Sequence, residues 1–493
     1  MAQTIQSPNT GTTLATMSPD AQRKLWKKGA DVFEQTHDFF MQMEGKSARS
    51  IIITETDTSK GRGQKITFTT KSGFYSEGRM GEELFEDKED FEELLINDYE
   101  MTVDFLRNAS RWTARTEEWM GMRGELKNGI PAQLGEWMGR IKTERLFMMF
   151  QKKGSGENYV FANGKGSVDD LVSADLLTYD NIVSMGTQMK TMGGKAALAG
   201  KMSNGIPIFR QCVVATTAAV FGLKMDSTYR QMIREGGQRG DINYLFKGGV
   251  ADVDGHVIKE YVPIDHDGDG PVGSPLNPKA FLGEAITAGT TTFDIKGGGS
   301  AVAAAKTKIK YFKWFPRFSY KWLPSDVYDI SGDAATFYVL VVNPPSGTDA
   351  NKIGMYECTT NDGNKITVSK RLGSATAGIR NTTVGSVTWD TGVWSGKHTD
   401  QHPIGATIVL CNGKGQPYGD TLMLGAGAAY RGYGKYRNSR SNQSHEGGFV
   451  TDTFITSVFG QEPRRDTKDR CPGFMRLRHA VQYPGLPIPN NIT

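Results

Sequence analysis

The sequence predicts an α+β fold that carries an inserted all-β domain. Three observations lead there. Residues 126 to 151 hold a single long helical pattern. From about 285 to 415 helical period disappears, and Thr, Gly, Ser, Val and Tyr dominate. On both sides of that stretch, strand and helix signals alternate. A chain of 493 residues has room for two to four domains, or one large domain with an insertion. Hydrophobic residues at 38% against 23% charged supply a real core and argue against wholesale disorder. Glycine is frequent, at 59 residues, without any collagen-like period, so it belongs to turns and loops.

Residues 1–44 read as an N-terminal arm followed by an amphipathic helix from residue 25 onward. The first 24 are polar, lack an apolar run, and do not resemble a signal peptide. Residues 45–81 read as an extended loop whose centre is a long hairpin over 48–72. Ile51, Ile52, Ile53 and Thr54 form one arm, Ile66 to Thr70 the other, and Gly61 and Gly63 the turn. This hairpin has little one-sided apolar character and a charged tip at Lys60 and Arg62. It is expected to find its core on something else.

Residues 82–284 read as the first part of a mixed core. It opens on the most acidic stretch, with Glu82, Glu83, Glu86, Asp87 and Glu89 around Lys88. Such a run is a solvated face or a patch that meets bases on a neighbour. The long helix follows. Ile130, Leu134, Trp137, Met138 and Ile141 recur at three-four spacing, while Arg140, Lys142 and Glu144 point elsewhere. About 25 residues at about 1.5 Å each span roughly 38 Å, which suits a spine. A second helix is expected over 178–192 with Thr178 as its cap, then a strand at 206–214 and a short helix at 227–235. Asp254-Gly255 marks a hairpin between 250–253 and 256–261.

Residues 285–415 read as an independent β domain. A small sandwich is the expected form, with the immunoglobulin type as one candidate. Residues 416–493 return to the core pattern. They hold a segment in which Tyr430, Tyr433 and Tyr436 interleave with Arg431, Lys435, Arg437 and Arg440. Bases and aromatics so mixed suit single-stranded nucleic acid, a structural loop or a subunit contact.

Catalytic patterns fail on their own chemistry. Gly45-Lys46-Ser47 has Phe40 where a phosphate loop needs its first glycine. Gly425-Ala426-Gly427 is followed by Tyr430 where a dinucleotide turn needs glycine. His445-Glu446 has Phe449 in place of a second zinc-binding histidine. Asp265, Asp267 and Asp269 match half of a calcium loop, but Leu276 stands where the bidentate glutamate belongs. Cys212, Cys358, Cys411 and Cys471 are too far apart for a zinc ribbon and fit a reducing compartment. The apolar run 213–223 is too short to span a bilayer. Neither catalysis nor a cofactor is expected.

Three stretches resemble the major capsid proteins of tailed bacteriophages with the HK97-like fold, in the branch typified by N4-like phages. They are Gly63-Gln64-Lys65-Ile66-Thr67-Phe68 with the acidic run from Gly78 to Glu89, the helix with Leu134, Trp137 and Met138, and Asn243-Tyr244-Leu245-Phe246-Lys247-Gly248 before Asp254-Gly255. Tyr244 departs from the usual proline, and residues 285–415 extend beyond the common core. The resemblance implies self-assembly as hexamers and pentamers into an icosahedral shell around DNA, with non-specific DNA contact. Portal, scaffolding and decoration proteins would be further partners, and the virion, assembled in the host cytoplasm, the location. Lys60, Arg62, Glu82, Glu83, Glu86, Asp87, Glu89, Arg431, Lys435, Arg437 and Arg440 are the expected subunit contacts, because charge patches set register. The alternatives are a tail or surface component with a glycan-binding β domain, and a metal-dependent hydrolase.

Overall fold

The computed structural model describes residues 34–57, 59–61, 63–71, 96–113, 125–152, 158–201, 207–238, 255–262, 276–277, 279–282, 292–296, 337–344, 352–361, 365–376, 402–403, 405–435, 439–445, 450–466, 470–483 and 486. Strands and helices mix throughout, as the α+β reading expects. The chain divides into two units. One takes residues 1–46, 52–145 and 430–462, the other 47–51, 146–429 and 463–493.

The first unit is built on a six-stranded sheet. Its strands follow the order Glu44–Gly45, Ile52–Thr56, Ala429–Tyr433, Val450–Pro463 and Ser439–His445, and Asp104–Thr113 also pairs with Val450–Pro463. Lys65–Lys71 and Ile96–Thr102 form a separate antiparallel pair, Lys65 opposite Thr102 and Lys71 opposite Ile96. Alternation along this pair sends Ile66 and Phe68 to one face. They meet Met101, Val103, Tyr430 and Val458 there, and Phe68 stacks on Tyr430 with ring centres 4.1 Å apart.

The hairpin expected over 48–72 is not formed. Its first arm joins the six-stranded sheet and its second pairs with residues 96–102. The cause is local. Gly63 takes φ +73, its N–H donates to the Val103 carbonyl, and the Val103 N–H donates to the Gln64 carbonyl. The second arm is thereby zipped to the chain near Val103, and each arm gains its own core, since Ile52 and Ile66 are both buried. The acidic run thus falls, in sequence, within the connection between Lys71 and Ile96. Residues 72–95 lie outside the described residues, as does the helix expected from residue 25 up to residue 33.

Helix α1, Glu125–Lys152, matches the long helical pattern. Ile130, Leu134, Met138 and Ile141 pack with Leu106, Tyr433, Ile455 and Phe459, each full burial contributing about 1.5–3 kcal/mol. Gly139 permits a close approach, because a Cβ there would lie 2.6 Å from the Glu34 carbonyl oxygen. The one-sided pattern fails at the C-terminal end. Leu146, Phe147, Met148, Met149 and Phe150, which belong to the second unit, are all buried. Phe147 meets Tyr261 and Phe150 meets Phe474.

The second unit holds another six-stranded sheet, in the order Tyr159–Phe161, Phe474–Ala480, Tyr418–Leu424, Pro207–Thr216 and Ala197–Lys201, with His256–Tyr261 also pairing with Pro207–Thr216. Helix α2, Tyr179–Thr191, starts at Thr178, whose hydroxyl accepts from the Asn181 N–H. It buries Ile182, Met185 and Met189 against Val213, Ala215, Ile258, Met423, Met475 and Leu477. Helices α3, Thr217–Met225, and α4, Ser227–Gln238, complete this layer. The strand His256–Tyr261 runs parallel to Pro207–Thr216. Residues 250–254, its expected hairpin partner, are outside the described residues.

Among the described residues the β insertion closes into a barrel, where a sandwich, with the immunoglobulin type as one candidate, is expected. Its order is Lys279–Leu282, Thr292–Lys296, Lys365–Thr376, Lys352–Asn361, Phe337–Val342 and Thr407–Cys411, which returns to Lys279–Leu282. Closure removes the free edges a two-sheet sandwich leaves. It needs the strand Lys279–Leu282, which lies before the expected start at residue 285 and pairs with both Thr292–Lys296 and Thr407–Cys411. Residues 297–336 and 377–401 of the insertion lie outside the described residues. All four cysteines are buried free thiols.

Candidate assembly surface and buried charge network

In the first unit, the segment that leads into the first sheet, and the start of that sheet, are fastened by charge. Asp38 and Glu44 bind the guanidinium of Arg431, the former at 2.6 Å, and Glu34 binds the ammonium of Lys142. Thr143 donates its hydroxyl to Asp38 at 3.0 Å and accepts the Phe39 N–H at 3.1 Å. The Lys142 nitrogen also lies 5.0 Å from the Tyr433 ring centre and 5.3 Å from that of Phe459. Burial pushes the Lys142 pKa down, and Glu34 opposes it. For Arg431 burial acts the same way, but Asp38, Tyr433 and Glu44 outweigh it and hold the guanidinium charged.

A second network lies in the second unit. Arg478 clasps Asp420 through Nε at 2.8 Å and Nη2 at 3.3 Å, and Arg476 approaches the same carboxylate at 3.6 Å. The Arg476 guanidinium sits 3.6 Å over the Tyr159 ring. Burial works against the charge on Asp420, but Arg478 and Arg476 together hold its pKa below the ordinary value. Burial also lowers Arg476, to about 10, and lowers His479, which therefore stays neutral against Thr421 at 2.9 Å.

These networks correct several expectations. Arg431 is fully buried and bound within its own unit, so its guanidinium does not face a neighbouring subunit. Tyr430 and Tyr433 are buried too, which removes the aromatic faces that would stack on bases. Lys142 and Glu144, expected to point away from the core, are buried because the helix is enclosed there. Arg476 is likewise buried, against Asp420.

Of the other expected contact residues, the structure brings Lys60 and Lys435 together. The Lys435 N–H donates to the Lys60 carbonyl at 2.7 Å, and the Asp57 N–H donates to the Tyr433 carbonyl at 2.9 Å. Gly434 makes this possible, since a Cβ there would meet the Lys60 oxygen at 2.6 Å. Lys435 is exposed and Lys60 half-buried. Two like charges far apart in sequence therefore mark one spot on the first unit. Arg62, Glu82, Glu83, Glu86, Asp87, Glu89 and Arg437 lie outside the described residues, and Arg440 is placed only as backbone, opposite Ile455.

The turn Gly425-Ala426-Gly427 has its amides engaged by backbone carbonyls. Its amides and that of Ala428 donate to the carbonyls of Gly473, Lys195, Ser50 and Ile51. Among the described residues no group of three His, Cys, Asp or Glu could hold a metal ion. Asp265, Asp267 and Asp269 are outside them. Among the described residues no helix is long and apolar enough to cross a membrane.

No family model matches the sequence, and no curated protein matches it. The fold does have solved relatives. The capsid of Ralstonia phage GP4 matches with a TM-score of 0.50 at 13% identity, over 91% of this chain and 92% of that one. The capsid of cyanophage Pam1 matches with a TM-score of 0.50 at 8% identity, over 90% and 92%. The chain therefore has the α+β fold of phage capsid subunits, the HK97-like class.

Proposed function

We propose that this chain is the major capsid protein of a tailed bacteriophage, which assembles as hexamers and pentamers into the shell that encloses the phage DNA. The fold shared with two phage capsids over nine-tenths of each chain carries the reading. The organisation supports it. Among the described residues, Asp104–Thr113 and Ser439–His445 are edge strands of the first sheet, and edges pair with other chains unless covered. The shell role is structural and asks for no catalytic group. Scaffolding, portal and decoration proteins, and the packaged DNA, are the partners such a role requires, and the virion is its location.

The subunit contact we propose is electrostatic. The run Glu82, Glu83, Glu86, Asp87 and Glu89 of one copy meets a basic spot at Lys60 and Lys435 of the next, with Arg62, Arg437 and Arg440 close in sequence. Opposed patches of this kind fix register and speed encounter more than they add affinity.

Co-expression of the chain with its genomic neighbours, followed by negative-stain electron microscopy, tests the function. Closed particles or six- and five-membered rings are expected. A monodisperse monomer across salt and concentration, with no particles, overturns it.

A further inference from the structure

The inserted barrel does not end at its own strands. Along Phe337–Val342 the side chains alternate between two cores. Val339 and Val341 join Leu282, Tyr356, Cys358, Ile408 and Leu410. Leu340 and Val342 face the other way, with Ile353, Met355, Val409 and Cys411. A barrel has one interior, so the second of these faces needs a cover. Tyr483 and Leu486, which follow the last strand of the sheet-bearing core, pack on it.

Polar contacts fix the same segment. The Val481 N–H donates to the Pro417 carbonyl at 2.9 Å. The Tyr483 hydroxyl donates to Asn277 Oδ1, and Asn277 lies just before the first barrel strand. The chain is bound there too, as the Asp420 N–H donates to the Leu276 carbonyl at 2.7 Å. On the exit side the Asn412 amide donates to the carbonyls of Val168 and Leu171 at 3.1 and 3.0 Å. The Gly413 N–H donates to Asp169 Oδ1 at 2.9 Å. Entry, exit and outer face of the barrel are therefore each held, and among the described residues Tyr483 and Leu486 are the apolar cover of the outer face, while Tyr418 of the sheet packs on the cluster around Val339 and Val341.

We propose that residues 481–483, with Leu486, act as a strap that locks the inserted barrel onto the sheet-bearing core, and that releasing it frees the barrel as a folded, tethered module. The strap lies on the outer face and contributes nothing to the cluster around Val339 and Val341. Losing it exposes one barrel face without opening the barrel. The polar clips at Asn412, Asp169 and Leu276 then remain with the single Tyr418 contact, and hydrogen bonds open to water hold weakly.

Hydrogen exchange on the purified full chain and on the double variant Tyr483→Ala, Leu486→Ala tests this. In the variant the amides of Gly413, Asp420 and Val481 are expected to exchange at least about tenfold faster, while those of Val339 to Val341 keep their protection, as for a local opening. Unchanged exchange at Gly413, Asp420 and Val481 overturns the proposal, because the barrel is then held without the strap. Equal loss of protection at Val339 to Val341 also overturns it, because the two side chains then belong to the barrel's own core.

Discussion

Arg431 shows how charge is used inside this protein. It is a fully buried guanidinium facing two carboxylates, Asp38 ahead of the first sheet and Glu44 in that sheet's first strand. A buried pair of this kind gives little net stability over an apolar replacement, but breaking it leaves charge uncompensated. The same logic applies with a pH signature at Asp420. Its pKa is depressed in the folded state, against the pull of burial, by Arg478 and Arg476. A carboxylate so depressed adds stability above its unfolded pKa, and that stability is lost as pH falls through the folded value. Asp420→Asn is therefore expected to cost about 3–5 kcal/mol at neutral pH, because two buried arginines lose their partner. The cost should shrink in acid, below the ordinary aspartate value of 3.8. Urea unfolding at neutral and acid pH measures both. Neither network is visible in the sequence. The partners Lys142 and Glu34 stand 108 residues apart, and Arg431 and Asp38 stand 393 apart. Periodicity even places Lys142 on the wrong face, because it assumes a helix with one wet side.

At the scale of elements, regular patterns were legible and pairings were not. The helix read over 126–151 is found as Glu125–Lys152, and the one read over 178–192 as Tyr179–Thr191, with Thr178 in place as cap. Both follow from local spacing and a local hydrogen bond. The strands near 52–56 and 65–71 were also legible, but nothing in their residues says that they part company. Their neighbours in the sheets come from 429–433 and 96–102. In sequence, the acidic run falls in the connection between the paired strands Lys65–Lys71 and Ile96–Thr102. Reversing Glu82, Glu83, Glu86, Asp87 and Glu89 to Lys is expected to leave the subunit folded, with an unchanged circular dichroism spectrum and melting point. The yield of particles should fall, and most steeply at low salt, where like charges meet with least screening. Particle yield by sedimentation over a salt series measures this.

For the whole molecule, composition identified the β insertion but could not show its closure. A strand pattern reports which face is buried, not which strand meets which. Here the joining strand, Lys279–Leu282, lies outside the stretch whose composition changes. Closure sets Lys279 directly opposite Val409, so the two ends of the insertion lie about 5 Å apart, the spacing of paired strands. Replacing residues 279–411 with a short Gly-Ser linker is therefore expected to leave the remainder folded. Its melting point should be lower, because Tyr483 and Leu486 lose their cover. Thermal denaturation followed by circular dichroism compares the two chains.

The cysteines have a practical consequence. Burial pushes the Cys212 thiol up to about 11, and those of Cys358 and Cys411 well above the usual range. Attack on a labelling reagent needs an accessible thiolate, and these thiols are neither ionised at neutral pH nor open to water. The folded subunit is thus silent to maleimides as it stands. A single cysteine placed at an exposed position such as Lys190 would take up a dye or a spin label alone, so individual copies could be followed through assembly without first removing the native thiols.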